Sequence, residues 1–229
     1  MIDLSTWNLS IPVGVPATTI TTPALAGGYR DYYFKSDERS IYFWAPVNGT
    51  TTKNASYPRS ELRETYRDGR LRNWTYPLAD NYMRASLKVR QVPSTGKLVI
   101  GQIHNANSNW PLLKLEFQMK STGTADLVYK LRLKPTDAAP TTRTLVRGVM
   151  LNQSFSYYVH LTPAGTLNVS FNGVKWSGKI DPTWAAQPMY FKAGVYTQDN
   201  TGYETEAGAA TFSRLEIEHR PRIPVASTP

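Results

Sequence analysis

The chain has 229 residues, no cysteine and 26 Lys and Arg against 17 Asp and Glu, which gives a formal net charge of +9. The lack of cysteine excludes disulfide bonds and thiolate chemistry. The positive charge suits a polyanion, either nucleic acid or an acidic polysaccharide, or else it serves solubility alone. The length and the 14 Tyr and 6 Trp predict one all-β domain over residues 1–229, with a loose tail at 220–229.

Alternating apolar and polar residues predict many short strands and almost no helix. Loops are expected at Gly14–Gly28, Asn48–Asn54 and Asp68–Asp80, and one helical turn at Pro182–Ala186. The predicted strands are Leu4–Ile11, Tyr29–Phe34, Ser40–Ala45, Pro58–Thr65, Tyr82–Val92, Lys97–His104, Leu112–Lys120, Ala125–Lys134, Thr144–Val149, Phe155–Leu161, Leu167–Phe171, Tyr190–Gln198 and Ala209–His219.

This strand pattern favours a β-jelly roll, a sandwich of two curved antiparallel sheets whose concave face holds an extended ligand. No internal repeat of fixed period indicates a propeller or a solenoid. No apolar run is long enough to cross a bilayer, so no membrane partner is expected. Met1–Trp7 shows no export signal, and the compartment stays open.

The strand Tyr190–Gln198 carries unusual chemistry on one face. The two-residue period of a strand places two phenols, an amine and an amide together on that face, namely Tyr190, Tyr196, Lys192 and Gln198. Gly194 lies among them and leaves room for close approach. This face is predicted to be a binding surface.

Two further strands present polar side chains in the same way. In Pro58–Thr65, Arg59 and Arg63 bracket Glu61 on one face. This row is either a surface ion-pair ladder or a carboxylate-binding fork held in place by the glutamate. At the end of another strand, Gln102 and His104 share a face, and His104 is the best candidate for a group that titrates near neutral pH. His160 and His219 are expected to be structural.

The available residue types exclude several reaction classes. The sequence has no carboxylate pair typical of a glycosidase, no His or Asp spacing typical of a metal site, and no phosphate-binding glycine loop, so neither metal nor cofactor is expected. Arg, Gln, His and Tyr together suit elimination next to a carboxylate, in which Arg and an amide neutralise the carboxylate, His takes the proton and Tyr protonates the leaving oxygen. Lys114 adds a further candidate substrate-binding cation.

Three blocks of the sequence resemble the signature blocks of the polysaccharide lyase family 7 alginate lyases, in the family's order. They are Arg59-Ser-Glu-Leu-Arg63, Gln102-Ile-His104 and Tyr190-Phe-Lys-Ala-Gly-Val-Tyr-Thr-Gln198. Asp3–Leu9 and Tyr42–Pro46 also resemble that family, so the similarity covers essentially the whole chain.

The resemblance implies a jelly roll that depolymerises alginate endolytically by β-elimination. It assigns Arg59 and Gln102 to neutralising the uronate carboxylate, His104 to the role of base and Tyr196 to the role of acid. For mannuronate, it assigns the roles of both base and acid to Tyr196. The Ile in Gln-Ile-His accompanies activity on guluronate-containing blocks in this family. The implied sugar-holding positions are Arg63, Tyr190, Lys192 and Gln198, and Glu61 orients the arginines.

Two other hypotheses use the same surface. A non-catalytic carbohydrate-binding, lectin-like sandwich would bind acidic polysaccharide without turnover. A single-stranded nucleic-acid binder would use the charge and the aromatic residues, but the basic residues are interleaved with Gln, His and Tyr rather than clustered, so no nucleic-acid partner is expected. The chain is predicted to act as a monomer, and Asn48–Asn54 as a mobile lid before Arg59.

Overall fold

The computed structural model describes residues 1–222 and contains two antiparallel sheets, whose strands are numbered in chain order. The eight-stranded sheet runs, in spatial order, β10 (Thr141–Val149), β9 (Ala125–Leu131), β8 (Leu113–Met119), β7 (Lys97–Asn105), β14 (Met189–Thr197), β5 (Arg59–Glu64), β1 (Trp7–Ser10) and β2 (Thr19–Ile20). The seven-stranded sheet runs β13 (Val174–Lys179), β12 (Thr166–Phe171), β11 (Phe155–Leu161), β6 (Ala79–Gln91), β15 (Ala207–Pro221), β4 (Ile41–Pro46) and β3 (Phe34–Ser36).

The core lies between the two sheets and is built from alternate residues of each strand. In β6, Met83, Ala85, Leu87 and Val89 are buried, while the residues that alternate with them face outward. Phe191 and Val195 of β14 fill the same core from the other sheet. Each fully buried side chain of this size stabilises the fold by about 1.5–3 kcal/mol. The predicted jelly-roll sandwich of two antiparallel sheets is confirmed.

Most predicted strands are present with slightly shifted ends, but the first aromatic strand is much shorter than expected. Residues 29–33 are not a strand, and β3 starts only at Phe34. The reason is local, because the Asp31 carboxylate accepts hydrogen bonds from the backbone N–H groups of Tyr33 and Phe34. The shortened strand still pairs with the next one, as the antiparallel pair β3–β4.

Four elements were missed by the sequence patterns. Strand β2 and the 3₁₀ helix Tyr76–Leu78 lie inside predicted loops. A short helix, Thr22–Ala26, interrupts the predicted loop Gly14–Gly28, with Thr21 as its N-cap and Pro23 in its first turn. Strand β13 follows the Asn172-Gly173 turn, where both residues have positive φ.

The predicted helical turn is confirmed, and part of the predicted tail is wrong. Pro182–Ala186 forms a 3₁₀ helix, and a second 3₁₀ helix occupies Tyr76–Leu78. Of the tail predicted at 220–229, residues 220 and 221 belong instead to β15, where they pair with β6. Residues 223–229 lie outside the described part of the chain. Within residues 1–222, no helix has the length and apolar character that crossing a membrane requires.

Candidate active site

The predicted site residues lie on four neighbouring strands of the eight-stranded sheet, β8, β7, β14 and β5. Strand β14 is central, and its Lys192 is paired with Gln102 on one side and Arg63 on the other. Tyr190 is paired with His104 in the same way. The sheet register therefore brings the three sequence blocks together on one surface.

Glu61 is fully buried beneath this surface, and its carboxylate contacts three polar side chains of the surface. Its Oε2 is 2.8 Å from Arg59 Nη1 and 2.6 Å from Lys192 Nζ, and its Oε1 accepts a 2.6 Å hydrogen bond from Gln102 Nε2. Burial alone would raise the pKa of Glu61, but Lys192 and Arg59 lower that pKa to about 2. Glu61 is therefore an anionic anchor and not a proton donor.

Lys192 is 6% exposed and lies beside cations as well as Glu61. Burial and the neighbouring Arg59 lower the pKa of Lys192 to about 8, against the opposing effect of Glu61. The ammonium group therefore titrates in the range in which enzymes are commonly assayed.

His104 is half-buried and has a defined tautomer. Its Nδ1 is 2.8 Å from the backbone oxygen of Asn105, which can only accept, so Nδ1 carries the hydrogen. The Tyr190 hydroxyl lies 3.2 Å from the same nitrogen, and the two rings stack at 5.2 Å. Burial, with the nearby Lys192, lowers the pKa of His104 to about 3. The imidazole is therefore neutral, with a lone pair on Nε2.

Tyr196 lies next to Arg59, its partner in the sheet register. The guanidinium carbon of Arg59 is 3.8 Å from the centre of the phenol ring, and Lys114 Nζ is 5.6 Å from it. Burial raises the pKa of Tyr196 above its usual value, and Arg59 opposes that rise. The phenol is therefore protonated at neutral pH and is surrounded by cations.

One cavity of about 160 Å³ joins these groups. Larger depressions, of about 530 and 570 Å³, lie around the first residues of the chain and contain none of the predicted site residues. The smaller cavity is lined by Thr52, Lys53, Asn54, Ala55, Arg59, Gln102, His104, Asn109, Pro111, Lys114, Tyr190, Lys192 and Tyr196.

Besides the buried Glu61, two predicted site residues, Arg63 and Gln198, lie beside this cavity and do not line it. The guanidinium carbon of Arg63 is 3.9 Å from the centre of the Tyr190 ring, and its nitrogens bind Asn73 Oδ1 and the backbone oxygen of Arg72. Gln198 follows β14, and its side-chain amide donates to the backbone oxygen of Tyr196.

The sequence patterns missed a buried polar cluster behind the site. Glu64 is fully buried and accepts hydrogen bonds from Phe191 N at 3.0 Å and Trp74 Nε1 at 2.9 Å, and His219 Nε2 lies 2.6 Å from it. His219, on the other sheet, also contacts Asn81 Oδ1 at 2.7 Å. The Glu64 carboxylate of β5 therefore binds the backbone of β14 and also contacts His219 of the seven-stranded sheet. No pattern in the sequence indicates these contacts.

Within residues 1–222 there is no group of three or more His, Asp or Glu side chains arranged to hold a metal ion. The residues of the cavity are instead cations, an amide, an imidazole and phenols. This set can bind a carboxylate, accept a proton and donate a proton.

Comparison with known proteins gives the family of the chain. The alginate lyase family model matches residues 2–219. An alginate lyase of Klebsiella pneumoniae is 33% identical over 95% of this chain and 89% of its own length. The crystal structure of an alginate lyase from Pseudomonas aeruginosa is 46% identical, with a TM-score of 0.92 over 95% of this chain and all of that one.

A third similar protein is alginate lyase A1-II′, a member of polysaccharide lyase family 7, with 32% identity and a TM-score of 0.84 over 96% of this chain and 97% of that one. A variant of A1-II′ with one His→Asn and one Tyr→Phe substitution has been solved with a substrate, GGMG. The match to the family model over nearly the whole chain, with these relatives, shows that the chain belongs to the alginate lyases of polysaccharide lyase family 7.

Proposed function

We propose that the chain depolymerises alginate endolytically by β-elimination at the 1,4-glycosidic bond. The observation that carries this proposal is the single cavity in which Arg59, Gln102, His104 and Tyr196 meet. Elimination needs a neutralised carboxylate, a base and an acid around one sugar ring, and these residues provide all three.

Arg59 and Gln102 neutralise the carboxylate of the uronate whose C5 proton is removed. Glu61 holds one nitrogen of each, which fixes their direction. Gln102 Nε2 has a second hydrogen to donate, and the buried Arg59 Nε has no hydrogen-bond partner among the described residues. Donors oriented in advance stabilise the enolate-like charge that develops as the C5–H bond breaks.

His104 takes the C5 proton on Nε2. Its Nδ1 hydrogen is held by the Asn105 carbonyl, which leaves the Nε2 lone pair available. No described residue forms a hydrogen bond with Nε2, and the imidazole is neutral across the working pH range because its pKa is about 3. A bound uronate carboxylate near the ring raises that pKa as the proton arrives.

Tyr196 donates its hydroxyl proton to the glycosidic oxygen as the C4–O bond breaks and the C4=C5 bond forms. Its raised pKa keeps the proton in place until the oxygen departs. For mannuronate, Tyr196 serves as both base and acid, which requires the phenol to lose its own proton to solvent first. Burial opposes that loss, and the neighbouring Arg59 favours it. Solvent then returns a proton to the phenol and removes one from His104.

The remaining predicted residues hold neighbouring sugars of the polymer. Lys192 and Lys114 line the cavity, and the Tyr190 ring forms its wall beside His104. Arg63 and Gln198 lie beside the cavity, where the chain of sugars continues. The substrate GGMG bound by A1-II′ supports a preference for guluronate-containing blocks. The chain acts as a monomer.

Ultraviolet absorbance of the new C4=C5 bond tests the proposal. Incubation of the purified chain with alginate should give a steady rise in absorbance and an early fall in viscosity, because an endolytic enzyme cuts long chains internally. Binding of alginate without any rise in absorbance would favour the lectin-like alternative.

A further inference from the structure

The outer face of the seven-stranded sheet, on the other side of the molecule from the cavity, has its own organised polar surface. A row of side chains crosses four strands, because Arg84 pairs with Tyr158, Tyr158 with Ser170, and Ser170 with Lys175. Arg84, Tyr158 and Ser170 point away from the core, since their neighbours along each strand, such as Val159, are buried. Lys175 is exposed.

A second row lies beside the first and is built in the same way. Tyr82 pairs with His160, His160 with Asn168, and Asn168 with Ser177. The rings of Tyr82 and His160 stack at 4.1 Å with an angle of 15°, and His160 Nε2 lies 2.7 Å from Asp80. The aromatic part of this surface is therefore fixed in place.

The two rows enclose a depression of about 310 Å³. Tyr158 and His160 stand on one side, Lys175 on the other, and the floor carries hydroxyl and amide groups from Asn168, Ser170 and Ser177. This volume is large enough for a sugar ring, and the lining offers an aromatic face, hydrogen-bonding groups and a cation.

The charges of the outer face favour an anion. Its carboxylates are already paired, Asp80 with His160, Glu216 with Arg214, and Glu218 with Arg84 and Arg220. In contrast, five cations of this face form no ion pair with any residue in the described range, namely Lys35, Lys88, Arg90, Lys175 and Lys179. Lys175 is exposed at the rim of the depression.

We propose that this depression is a second, non-catalytic binding site for a uronate residue of an acidic polysaccharide. A sugar ring packs against Tyr158, its hydroxyls bind Asn168 and Ser170, and its carboxylate pairs with Lys175. This inference rests on the proposed function, since alginate is the acidic polysaccharide that reaches both faces. A second site keeps the enzyme attached to a long polymer between cuts.

The first test is an NMR titration in which a short alginate oligosaccharide is added to the ¹⁵N-labelled His104→Ala variant. This variant is expected to bind the oligosaccharide without cleaving it. Amide shifts in the cleft and also at Asn168, Ser170 and Lys175 are expected. Shifts in the cleft alone would overturn the second site and leave the proposed function intact. Failure of the wild-type protein to produce unsaturated ends would instead overturn the proposed function.

The second test compares Lys175→Glu with Lys88→Glu, an equal charge change on the same face outside the depression. Lys175→Glu should raise KM for long alginate at least about threefold at physiological ionic strength and leave both kcat and KM on short oligosaccharides unchanged. Lys88→Glu should leave kcat and KM unchanged on both long alginate and short oligosaccharides. An equal effect of both variants would show general charge attraction and overturn the site.

Discussion

The Glu61 carboxylate lies 2.6 Å from the ammonium nitrogen of Lys192, and both side chains are almost completely removed from solvent. The same carboxylate also contacts Arg59 and Gln102. One buried anion therefore compensates two buried cations and directs an amide toward the substrate. This arrangement leads to the first prediction.

Replacement of Glu61 by Ala should destabilise the protein by about 3–5 kcal/mol, because two buried cations lose their counter-charge. Glu61→Gln, which keeps the shape and part of the hydrogen bonding, should be less destabilising but should still lower kcat/KM. Urea unfolding followed by circular dichroism measures the first effect, and initial rates measure the second. Wild-type stability of Glu61→Ala would contradict the description of Glu61 as the anchor of the site.

The pH dependence of kcat/KM should report Lys192. Its pKa of about 8 means that the group is charged below that pH and loses its charge as the pH rises through it. Loss of a cation that lines the cavity and holds a neighbouring uronate should lower kcat/KM above about pH 8.

Lys192→Arg provides the control for this profile, because a guanidinium keeps its charge throughout the range. The basic limb should move to higher pH in that variant even if its maximal rate is lower. An identical basic limb in both proteins would assign the titration to another group.

Arg59→Lys should lower kcat by about 10²–10³-fold, the range observed when one donor to a developing oxyanion is removed. Lysine keeps the charge but loses the planar fork, which lies 3.8 Å from the Tyr196 ring and binds Glu61. The matched control is Arg67→Lys, since Arg67 forms an exposed ion pair with Asp3 and should tolerate the change. Equal, small effects of both substitutions would remove Arg59 from the mechanism.

The buried Glu64 cluster supports β14 from behind. Trp74→Phe removes the indole donor to Glu64 and should cost about 1.5–3 kcal/mol of unfolding free energy, as for other hydrogen bonds to charged groups. Trp110→Phe, at a residue 41% exposed, should change stability by less than about 0.5 kcal/mol. Similar values for the two variants would show that the Glu64 hydrogen bond contributes little.

The loop Asn48–Asn54 was predicted as a lid, and Thr52, Lys53 and Asn54 line the cavity. Replacement of this loop by a short rigid turn should raise KM for long alginate or change the length of the products, because one wall of the cavity is removed. Steady-state kinetics and product sizing check this outcome. Unchanged values on both counts would mean that the loop plays no part in substrate capture.

Strand periodicity predicted the face of each catalytic candidate but not the contacts between strands. The alternation in Arg59–Glu64 and in Tyr190–Gln198 placed the right side chains together, because successive side chains of a strand point to opposite faces even where, as here, both faces are largely buried. Lys192 lies between Gln102 and Arg63 because of the order of the strands in the sheet. This order brings together residues that are far apart in the sequence.

The same limit explains the features that were missed. Glu64 lies on the core side of β5, and its partners Trp74 and His219 come from a loop and from the opposite sheet. Strand β13 has few buried residues and so lacks a clear apolar alternation. The contacts of Glu64 and the pairing of β13 both depend on tertiary packing, which cannot be predicted from the pattern of a single sequence.

The roles of His104 and Tyr196 give the last prediction from single substitutions. His104→Ala and Tyr196→Phe should each remove nearly all turnover and leave the unfolding transition close to that of the wild type, because each loses a proton-transfer group on the cavity wall. Rates are followed by ultraviolet absorbance. A wild-type rate in either variant would assign its role to another residue, with Lys192 the nearest alternative for the base.

Mass spectrometry of the products from purified alginate blocks tests the central claim most directly. β-Elimination predicts fragments whose new non-reducing ends are unsaturated and therefore one water lighter than the corresponding hydrolysis products, and their formation should stop in His104→Ala. Saturated new non-reducing ends, which contain the added water, would contradict elimination and with it the roles of Arg59, Gln102, His104 and Tyr196.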